Sequence, residues 1–448
     1  MSPRVGLATL LGLTLAAAAG VAAAGDGSPA AAHGGGAKGH EVWAVDQSNT
    51  NGTTSGGTLY VYDGKALGGR RAGEARPERI DLGAAAKDLC MAETGSAPVR
   101  PHMLLFNASR SHGVLSFVAS GHVLFLDARR RTPVACIDAG LQAHAAVPAP
   151  DESYVIVANQ NGKLVQRIST DYDTNRFRLE PEATLDLATG TTPSGAPRQD
   201  PDLRPDNAPI CPLIDSSSAL AFVTLRGGGL FVLDSRTSPM QIVAEYDRAA
   251  IHGNGCGGLE SGGKMYVNSG GATATNMSEF DVYAFDLGHF RSASGGMLCR
   301  MPRPNTPAPK LVVSQDDREH TDSHGAALTG RGRYLWVADR AGNRIVVIAT
   351  ATDRLVGEFP LSGELSDDPS PDLLDVSPGG DRVYVSLRGS LPLSGDPHAS
   401  TGSTPGVGVI DVESGGRSGE LRAIASISNV DAGGFERADP HALRVRKR

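Results

Sequence analysis

The chain has 448 residues, of which 40% are apolar and 20% are charged, and a formal net charge of −7; this length allows one large or two to three ordinary domains. With 42 Lys and Arg against 49 Asp and Glu, no basic stripe is expected, and nucleic acid is excluded as a predicted partner. Glycine (56 residues) and proline (28 residues) are frequent and aromatic residues make up only 5%. This composition favours many short strands joined by tight turns.

The first 24 residues have the pattern of an export signal. Arg4 is followed by an apolar run and then by alanines that end at Ala24, as in a secretory signal peptide that is cleaved after small residues. An uncleaved anchor is the alternative. No later run reaches the length that spans a bilayer. We therefore predict a secreted or periplasmic monomer with no membrane span after cleavage and with a disordered leader at residues 25–39.

Seven strand pairs follow along the rest of the chain. Each has a strand of alternating apolar residues, a turn and a second strand that usually ends in Asp, which is a hairpin pattern. The pairs begin with EVWAVD, VLSFVA, YVIVAN, AFVTLR, MYVNS, YLWVAD and VYVSLR. A further apolar strand precedes six of them, and the segment 439–445 has the pattern that is missing before the first. We predict an all-β fold over residues 40–448, a seven-bladed β-propeller whose first blade is completed by the C-terminal strand.

The repeat also resembles a known family. Its pattern of P-H-x-apolar, P-D/G-G, Y-V-x-N and V-x-V-I-D, clearest at residues 148–159 and 377–411, is similar to the YVTN-type, WD40-like propeller repeats. That superfamily contains lactonase-like enzymes, quinoprotein and haem d1 propellers, nitrous oxide reductase and many binding proteins. The copper electron-transfer domain of nitrous oxide reductase has no counterpart in this sequence. The resemblance therefore implies a fold and leaves the activity open.

Equivalent positions of such repeats gather around the propeller axis. The starts of the innermost strands hold His102, His144, Asp206, His252, His324, Asp372 and His441. One hypothesis is that each imidazole binds the backbone of the neighbouring blade. Another is that the five histidines bind a transition metal, with copper, zinc or iron expected. A metal-free ligand pocket lined by histidines is the third.

Three arginines are predicted on the same face, at the ends of second strands: Arg226, Arg340 and Arg388. Guanidinium groups bind carboxylate or phosphate through paired hydrogen bonds. We predict that they hold a small anionic ligand together with Asp206 and Asp372, or else that they form ion pairs with such aspartates.

Three functions are consistent with these patterns. The first is an exported propeller whose His- and Arg-lined face binds a metal or a small anion, with oxidoreductase chemistry among its expected activities. The second is a non-enzymatic surface or periplasmic binding module that uses the propeller as a rigid platform for a protein or a glycan. The third is a lactonase-like hydrolase, which implies calcium held by carboxylates, whereas histidines predominate here.

Five cysteines are present, an odd number. Cys256 lies in the unusual stretch HGNGCGG. We predict that it forms a disulfide with Cys211, since an exported protein permits disulfides, and that Cys299 is the free thiol. The alternative is that Cys256 is a thiolate ligand beside His252.

Overall fold

The alternating apolar runs form the strands of seven antiparallel sheets. The computed structural model describes residues 39–253, 255–270, 279–290, 306–315, 318–391 and 401–448. In these ranges, six sheets have four strands along their main path in consecutive chain order, and the seventh has the order β29-β1-β2-β3. The protein is a seven-bladed β-propeller, as the repeat count predicts.

Blades 1 to 4 come first in the chain, and blade 1 takes its innermost strand from the C-terminus. Blade 1 contains β1 (His40–Asp46), β2 (Thr58–Asp63), β3 (Glu78–Asp81) and β29 (Pro440–Lys447). Blade 2 contains β4 (Pro101–Phe106), β5 (His112–Phe117), β6 (His122–Asp127) and β7 (Thr132–Asp138). Blade 3 contains β8 (Ala143–Pro148), β9 (Tyr154–Asn159), β10 (Leu164–Asp171), β11 (Arg176–Leu179) and the short β12 (Leu185–Asp186). Blade 4 contains β13 (Pro209–Ile214), β14 (Leu220–Leu225), β15 (Leu230–Asp234) and β16 (Gln241–Tyr246).

Blades 5 to 7 repeat this arrangement. Blade 5 contains β17 (Gly258–Ser261), β18 (Lys264–Ser269), β19 (Asp281–Asp286) and β20 (Lys310–Ser314). Blade 6 contains β21 (Ser323–Thr329), β22 (Tyr334–Asp339), β23 (Arg344–Ala349) and β24 (Arg354–Pro360). Blade 7 contains β25 (Pro371–Val376), β26 (Arg382–Leu387), β27 (Gly406–Glu413) and β28 (Ser418–Ser426). The α-helices of the described residues are α1 (Gly64–Gly68), α2 (Leu82–Ala85) and α3 (Lys87–Thr94).

The C-terminal strand closes the ring. Strand β29 pairs antiparallel with β1 from the His40–Lys447 pair to the Asp46–Pro440 pair. Its apolar side chains pack in a cluster formed by blades 1 and 7, in which Val445 lies with Tyr384 and other buried residues. The predicted closure is therefore confirmed.

A bulge near the start of the innermost strands sets the direction of the residues at the axis. In β4 the pairing register with β5 shifts between Pro101 and Leu104, so His102 lies within the shift. The same shift occurs near the start of β8, β13, β21, β25 and β29. A bulge adds one unpaired residue and turns its side chain away from the regular alternation. The side chain of the second residue in each of these strands therefore points in a direction that regular strand alternation would not give it.

Polar side chains on the second strands hold these bulges in place. Each donates a hydrogen bond to the backbone carbonyl at the start of the next blade's innermost strand. The donor and acceptor residues are Ser116 with His144, Asn268 with His324, and Ser386 with His441. Because the backbone at these histidines is held by a neighbouring side chain, the imidazoles themselves are left for other contacts.

The segment between blades 1 and 2 adds structure that the repeat pattern does not contain. Helix α3 packs against β7, and Cys90 on α3 lies at disulfide-bonding distance from Cys136 on β7, with Cα atoms 5.2 Å apart. The predicted bridge between Cys211 and Cys256 is also present at bonding distance, with the same Cα separation of 5.2 Å. Cys299 lies outside the described residues.

Two sequence predictions concern parts of the chain that the structure does not describe. The predicted signal peptide at 1–24, and all of the predicted leader at 25–39 except its last residue, lie outside the described ranges. Among the residues that are described, no helix has the length and apolar character needed to cross a membrane.

Candidate functional site

Four of the five predicted histidines line one cavity at the axis. This cavity of 520 Å³ is lined by His102, His144, His324 and His441, together with Arg226, Arg340 and Arg388. Each of the four histidines is the second residue of its innermost strand. The recurring strand start, with its bulge, therefore brings together residues that are up to 339 positions apart in the chain.

His102 and His144 face each other across the cavity. Their Nε2 atoms are 3.3 Å apart. His102 Nδ1 is 3.0 Å from Gln47 Oε1, and the Gln47 amide nitrogen donates to an Asp439 oxygen, which can only accept. His144 Nδ1 is 2.9 Å from the carbonyl oxygen of Ile210. Both Nδ1 atoms therefore carry the proton, and both facing Nε2 atoms present a lone pair when the rings are neutral.

His324, His441 and Asp372 form a second group in contact with the first. The His441 ring stacks on the His102 ring with centroids 3.9 Å apart. Asp372 Oδ1 is 3.0 Å from His324 Nε2 and 3.8 Å from His441 Nε2. Among the described residues, Asp372 Oδ1, His324 Nε2 and His441 Nδ1 are buried without a hydrogen bond of acceptable geometry. Each of the three residues has one atom able to bind a metal ion, a ring nitrogen or a carboxylate oxygen, and these three atoms lie within 4.8 Å of one another.

Burial keeps the imidazoles of His102, His144 and His441 uncharged at neutral pH. It lowers the pKa of His144 to about 4, and it lowers the pKa of His102 and of His441 well below the usual value. Burial by itself would raise the pKa of Asp372, but the charges of His441 and His324 when these are protonated, and the permanent charges of Arg340 and Arg388, lower it, so the pKa lies well below the usual range. At neutral pH His102, His144 and His441 therefore offer neutral nitrogen donors, and Asp372 offers an ionised carboxylate.

The arginines divide into buried and exposed members. Arg388 is fully buried and makes ion pairs with Asp439, at 2.6 Å from Nε to Oδ1, and with Asp372, at 2.6 Å from Nη1 to Oδ2. Arg340 is also buried, with its Nε 2.5 Å from Asp322 Oδ2 and its Nη1 3.5 Å from Asp372 Oδ2. These two arginines hold one oxygen of Asp372 and leave Oδ1 toward the histidines. The sequence hypothesis of structural ion pairs agrees with this geometry.

Arg226 behaves differently because its side chain is 42% exposed at the cavity wall. Its Nε is 2.5 Å from Asp206 Oδ2, so the predicted ligand residues Arg226 and Asp206 lie together. Asp206 itself lies three residues before β13, and Ile210 occupies the second position of that strand. The register predicted for blade 4 is therefore wrong.

His252 is not brought to the other histidines. It lies six residues before β17, its side chain is 45% exposed, and its Nδ1 is 2.7 Å from Asp281 Oδ2. The predicted register is wrong in blade 5 as well, because irregular backbone separates this histidine from the strand. The thiolate arrangement of Cys256 beside His252 also has no counterpart, since Cys256 is positioned to bond with Cys211.

Sequence reasoning missed several residues of the site. Arg100 and Gln47 line the cavity, and Arg100 Nε is buried without a hydrogen bond among the described residues. Cys256 lines the same cavity. A signal for Arg100 exists in the chain, since it directly precedes the Pro101-His102 strand start.

Asp46, next to this network, predicts a pH dependence of stability. Burial raises the pKa of Asp46 to about 6 from an ordinary value of 3.8. A group with a raised pKa in the folded state binds more protons when folded, so its contribution is complete below the unfolded pKa and is lost as the pH rises through the folded one. We expect the free energy of unfolding of the wild type, minus that of Asp46→Asn, to fall by about 2 kcal/mol between pH 4 and pH 7, as measured by urea unfolding.

The matched control for Asp46 is Glu41. Burial would raise the pKa of Glu41, but hydrogen bonds from Trp43, Arg131 and Arg446 lower it to about 2. The free energy of unfolding of the wild type minus that of Glu41→Gln should therefore have the opposite pH dependence. It should fall as the pH drops below about 4.5. A flat Asp46 difference across pH 4–7 would contradict the prediction.

Comparison with known proteins identifies the fold. No protein-family model matches the chain, and no curated protein matches its sequence. A solved protein from Lactobacillus plantarum is 12% identical, covers 91% of this chain and 99% of its own, and has a TM-score of 0.57. A 6-phosphogluconolactonase candidate from Bacteroides fragilis is 13% identical, with coverages of 91% and 98% and a TM-score of 0.54. At these identities the likeness shows a shared propeller fold and no shared activity.

A more distant match is the dihydro-heme d1 dehydrogenase NirN. It is 12% identical, covers 90% of this chain and 74% of its own, and has a TM-score of 0.47.

Proposed function

We propose that the protein is an exported propeller whose axial cavity binds a transition metal ion and a small anionic ligand, with oxidoreductase chemistry at the metal. One observation carries the proposal. The Nε2 atoms of His102 and His144 are 3.3 Å apart, and both rings present lone pairs there because their other nitrogens donate elsewhere. Two lone pairs at this distance repel each other, whereas a cation bound between the two nitrogens attracts both.

The distance itself fits a metal ion. Two nitrogens bound at 2.0–2.1 Å to a tetrahedral ion lie roughly 3.3–3.4 Å apart. The hydrogen bonds from Gln47 Oε1 and the Ile210 carbonyl correspond to the outer partners that orient metal-binding histidines. These contacts support His102 and His144 as the first pair of ligands.

The second group supplies further donors. His324, His441 and Asp372 present buried atoms that make no hydrogen bond among the described residues, and the His102–His441 stack connects the two groups. Four imidazoles and one carboxylate suit copper, zinc or iron. Calcium prefers six to eight oxygen ligands, so the donor set disfavours a calcium-dependent, lactonase-like hydrolase. His252 has no part in this proposal.

The cavity wall suits an anion. Four arginines line it, and Arg340 and Arg388 are held in buried ion pairs. Arg226, which is partly exposed, and Arg100 are positioned to contact a bound molecule. Guanidinium groups bind carboxylates and oxyanions in two parallel hydrogen bonds. The signal pattern of residues 1–24 and the two disulfides support the exported location.

The test is metal binding by the purified mature chain after removal of adventitious metal with a chelator. We expect the wild type to bind copper(II) or zinc(II) stoichiometrically in equilibrium dialysis with elemental analysis. His102→Ala/His144→Ala should lose at least about 90% of this binding while keeping a cooperative thermal transition, since ligands on separate blades do not hold the sheets together.

His112→Ala is the matched control. His112 is also buried in blade 2, at the start of β5, but both of its ring nitrogens have hydrogen-bond partners, Ser111 and Asn175. Its loss should lower stability and leave the metal content unchanged. Wild-type protein without bound metal, or a double variant that binds as much metal as the wild type, would refute the proposal.

A further inference from the structure

The disulfide between Cys211 and Cys256 lies in the wall of the histidine cavity. Cys211 is on β13, and Cys256 comes just before β17, so the bridge joins the innermost segments of blades 4 and 5. Cys211 Sγ is 3.9 Å from His144 Nδ1. One nitrogen of His144 and the two sulfur atoms all lie within 4.8 Å of one another. The two sulfurs therefore lie beside His144 Nδ1, which becomes a metal donor when its proton moves to Nε2 and its hydrogen bond to the Ile210 carbonyl is given up.

The backbone around Cys256 is held without help from the disulfide. Thr224 Oγ1 donates to the Gly255 carbonyl at 2.7 Å, and the Gly257 amide donates to Asn268 Oδ1 at 2.7 Å. Any Cβ at Gly255 would collide with the Asn268 carbonyl, and any Cβ at Gly257 would collide with the His324 carbonyl. These close approaches explain the glycines of the HGNGCGG stretch. They also keep the Cys256 side chain beside Cys211 when the sulfur–sulfur bond is broken.

We propose that this disulfide is a redox gate, and that its reduction creates a site for a soft metal ion formed by Cys211, Cys256 and His144. An external dithiol would reduce the bridge: its two sulfurs become a disulfide, and Cys211 and Cys256 each gain one electron and one proton. Binding of zinc(II) or copper(I) then releases the two thiol protons, because the thiolate is the metal ligand.

Under this proposal, the set of metal donors in the cavity changes with the redox state of the disulfide. The oxidised protein presents nitrogen and oxygen donors only, whereas the reduced protein adds two thiolates, which select zinc and copper(I). It rests on the proposed function only in sharing His144. Its chemistry requires neither His102 nor the anion site.

A second group of the same composition provides a matched comparison. Cys90, Cys136 and His122 also lie within 4.8 Å of one another, and their bridge also has a Cα separation of 5.2 Å. This bridge joins α3 to β7 rather than two innermost strands, and the cavity lining does not include it. The two pairs are thus alike in chemistry and differ in position.

The experiment uses the mature chain with cobalt(II) as the probe, because cobalt(II) occupies zinc sites and absorbs strongly when thiolates are bound. Samples are compared as oxidised protein and after reduction with a water-soluble phosphine, which does not supply competing thiols. We expect thiolate-to-cobalt absorption only after reduction, with binding at least about tenfold tighter than in the oxidised protein.

Variants assign the signal. It should remain in Cys90→Ser/Cys136→Ser, which lacks the second group, and disappear when Cys211→Ser/Cys256→Ser is added to that variant. It should also remain in reduced His102→Ala. The same variant in its oxidised form tests the histidine site, so failure of one proposal can be distinguished from failure of the other. Absence of thiolate absorption in reduced Cys90→Ser/Cys136→Ser, or its persistence when Cys211→Ser/Cys256→Ser is added to that variant, would overturn the inference.

A measurement on the wild type decides the question if the serine variant does not fold. Reduced protein is treated with iodoacetamide with and without cobalt(II), and the labelled peptides are mapped. Protection of Cys211 and Cys256 by the metal supports the site. Equal labelling of both cysteines in the two samples overturns it.

Discussion

Removal of residues 439–448 is expected to abolish cooperative folding. The deletion takes away β29, which pairs with β1 along its whole length and packs its apolar side chains between blades 1 and 7. It leaves the buried strand β1 with an unpaired edge and opens the ring. It also removes Asp439, whose carboxylate neutralises the buried Arg388. We expect no cooperative transition in a thermal melt followed by circular dichroism.

A chain that ends at Arg446 is the control for this deletion. It loses the terminal pair between Lys447 and His40 and the contacts of Arg448 with Glu41, but it keeps the rest of the β1–β29 ladder. Its melting temperature should fall by only a few degrees, since about 1 kcal/mol corresponds to a shift of a few degrees in a chain of this size. A chain ending at Ala438 that melts like the full mature protein would contradict the role of closure.

Replacement of Arg388 by Leu should cost about 3–5 kcal/mol of unfolding free energy. The guanidinium group is fully buried and lies between Asp372 and Asp439, with Nε and Nη2 on the two oxygens of Asp439 and Nη1 on Asp372. The carboxylates raise the pKa of Arg388 against the effect of its burial. Without the guanidinium, two buried carboxylates lose a cationic partner. Urea unfolding at pH 7 gives the difference.

Arg226→Leu provides the matched comparison, because it also breaks an Arg–Asp pair at the cavity. The Arg226 and Asp206 side chains are 42% and 32% exposed, so solvent screens the pair and the expected cost is below about 1 kcal/mol. Arg388→Lys should fall between the two, since a single ammonium group cannot reproduce the planar fork that contacts both aspartates. Equal costs for Arg388→Leu and Arg226→Leu would show that burial does not control these ion pairs.

The sequence by itself determined the architecture. Short runs of apolar residues with a recurring turn predict the two central strands of every blade, because a strand whose two faces are both buried between neighbouring blades is apolar along most of its length. The count of seven, with one innermost strand missing at the start and present at the end, predicts the closure of β29 on β1. The same repetition predicted that His102, His144, His324 and His441 share the axis, since equivalent positions in a closed ring become neighbours.

The outer strands were not predictable in the same way. The fourth strands, such as Glu78–Asp81 and Arg354–Pro360, are largely exposed or half-buried. Because they contact solvent, these strands lack the apolar runs by which the central strands are recognised. Helix α3 and its disulfide to β7 likewise depend on a contact between segments that no repeat relates.

Only the tertiary structure decided what the site residues contact. His252 and Asp206 match the repeat in sequence, but irregular backbone separates them from β17 and β13, and strand register is not encoded by the identity of one residue. The proton positions on His102 and His144 follow from Gln47 and Ile210, which lie 55 and 66 residues away. The burial of Arg388 and the exposure of Arg226 follow from how neighbouring blades cover each side chain. These are distances between atoms of different blades, and they exist only once the ring has closed.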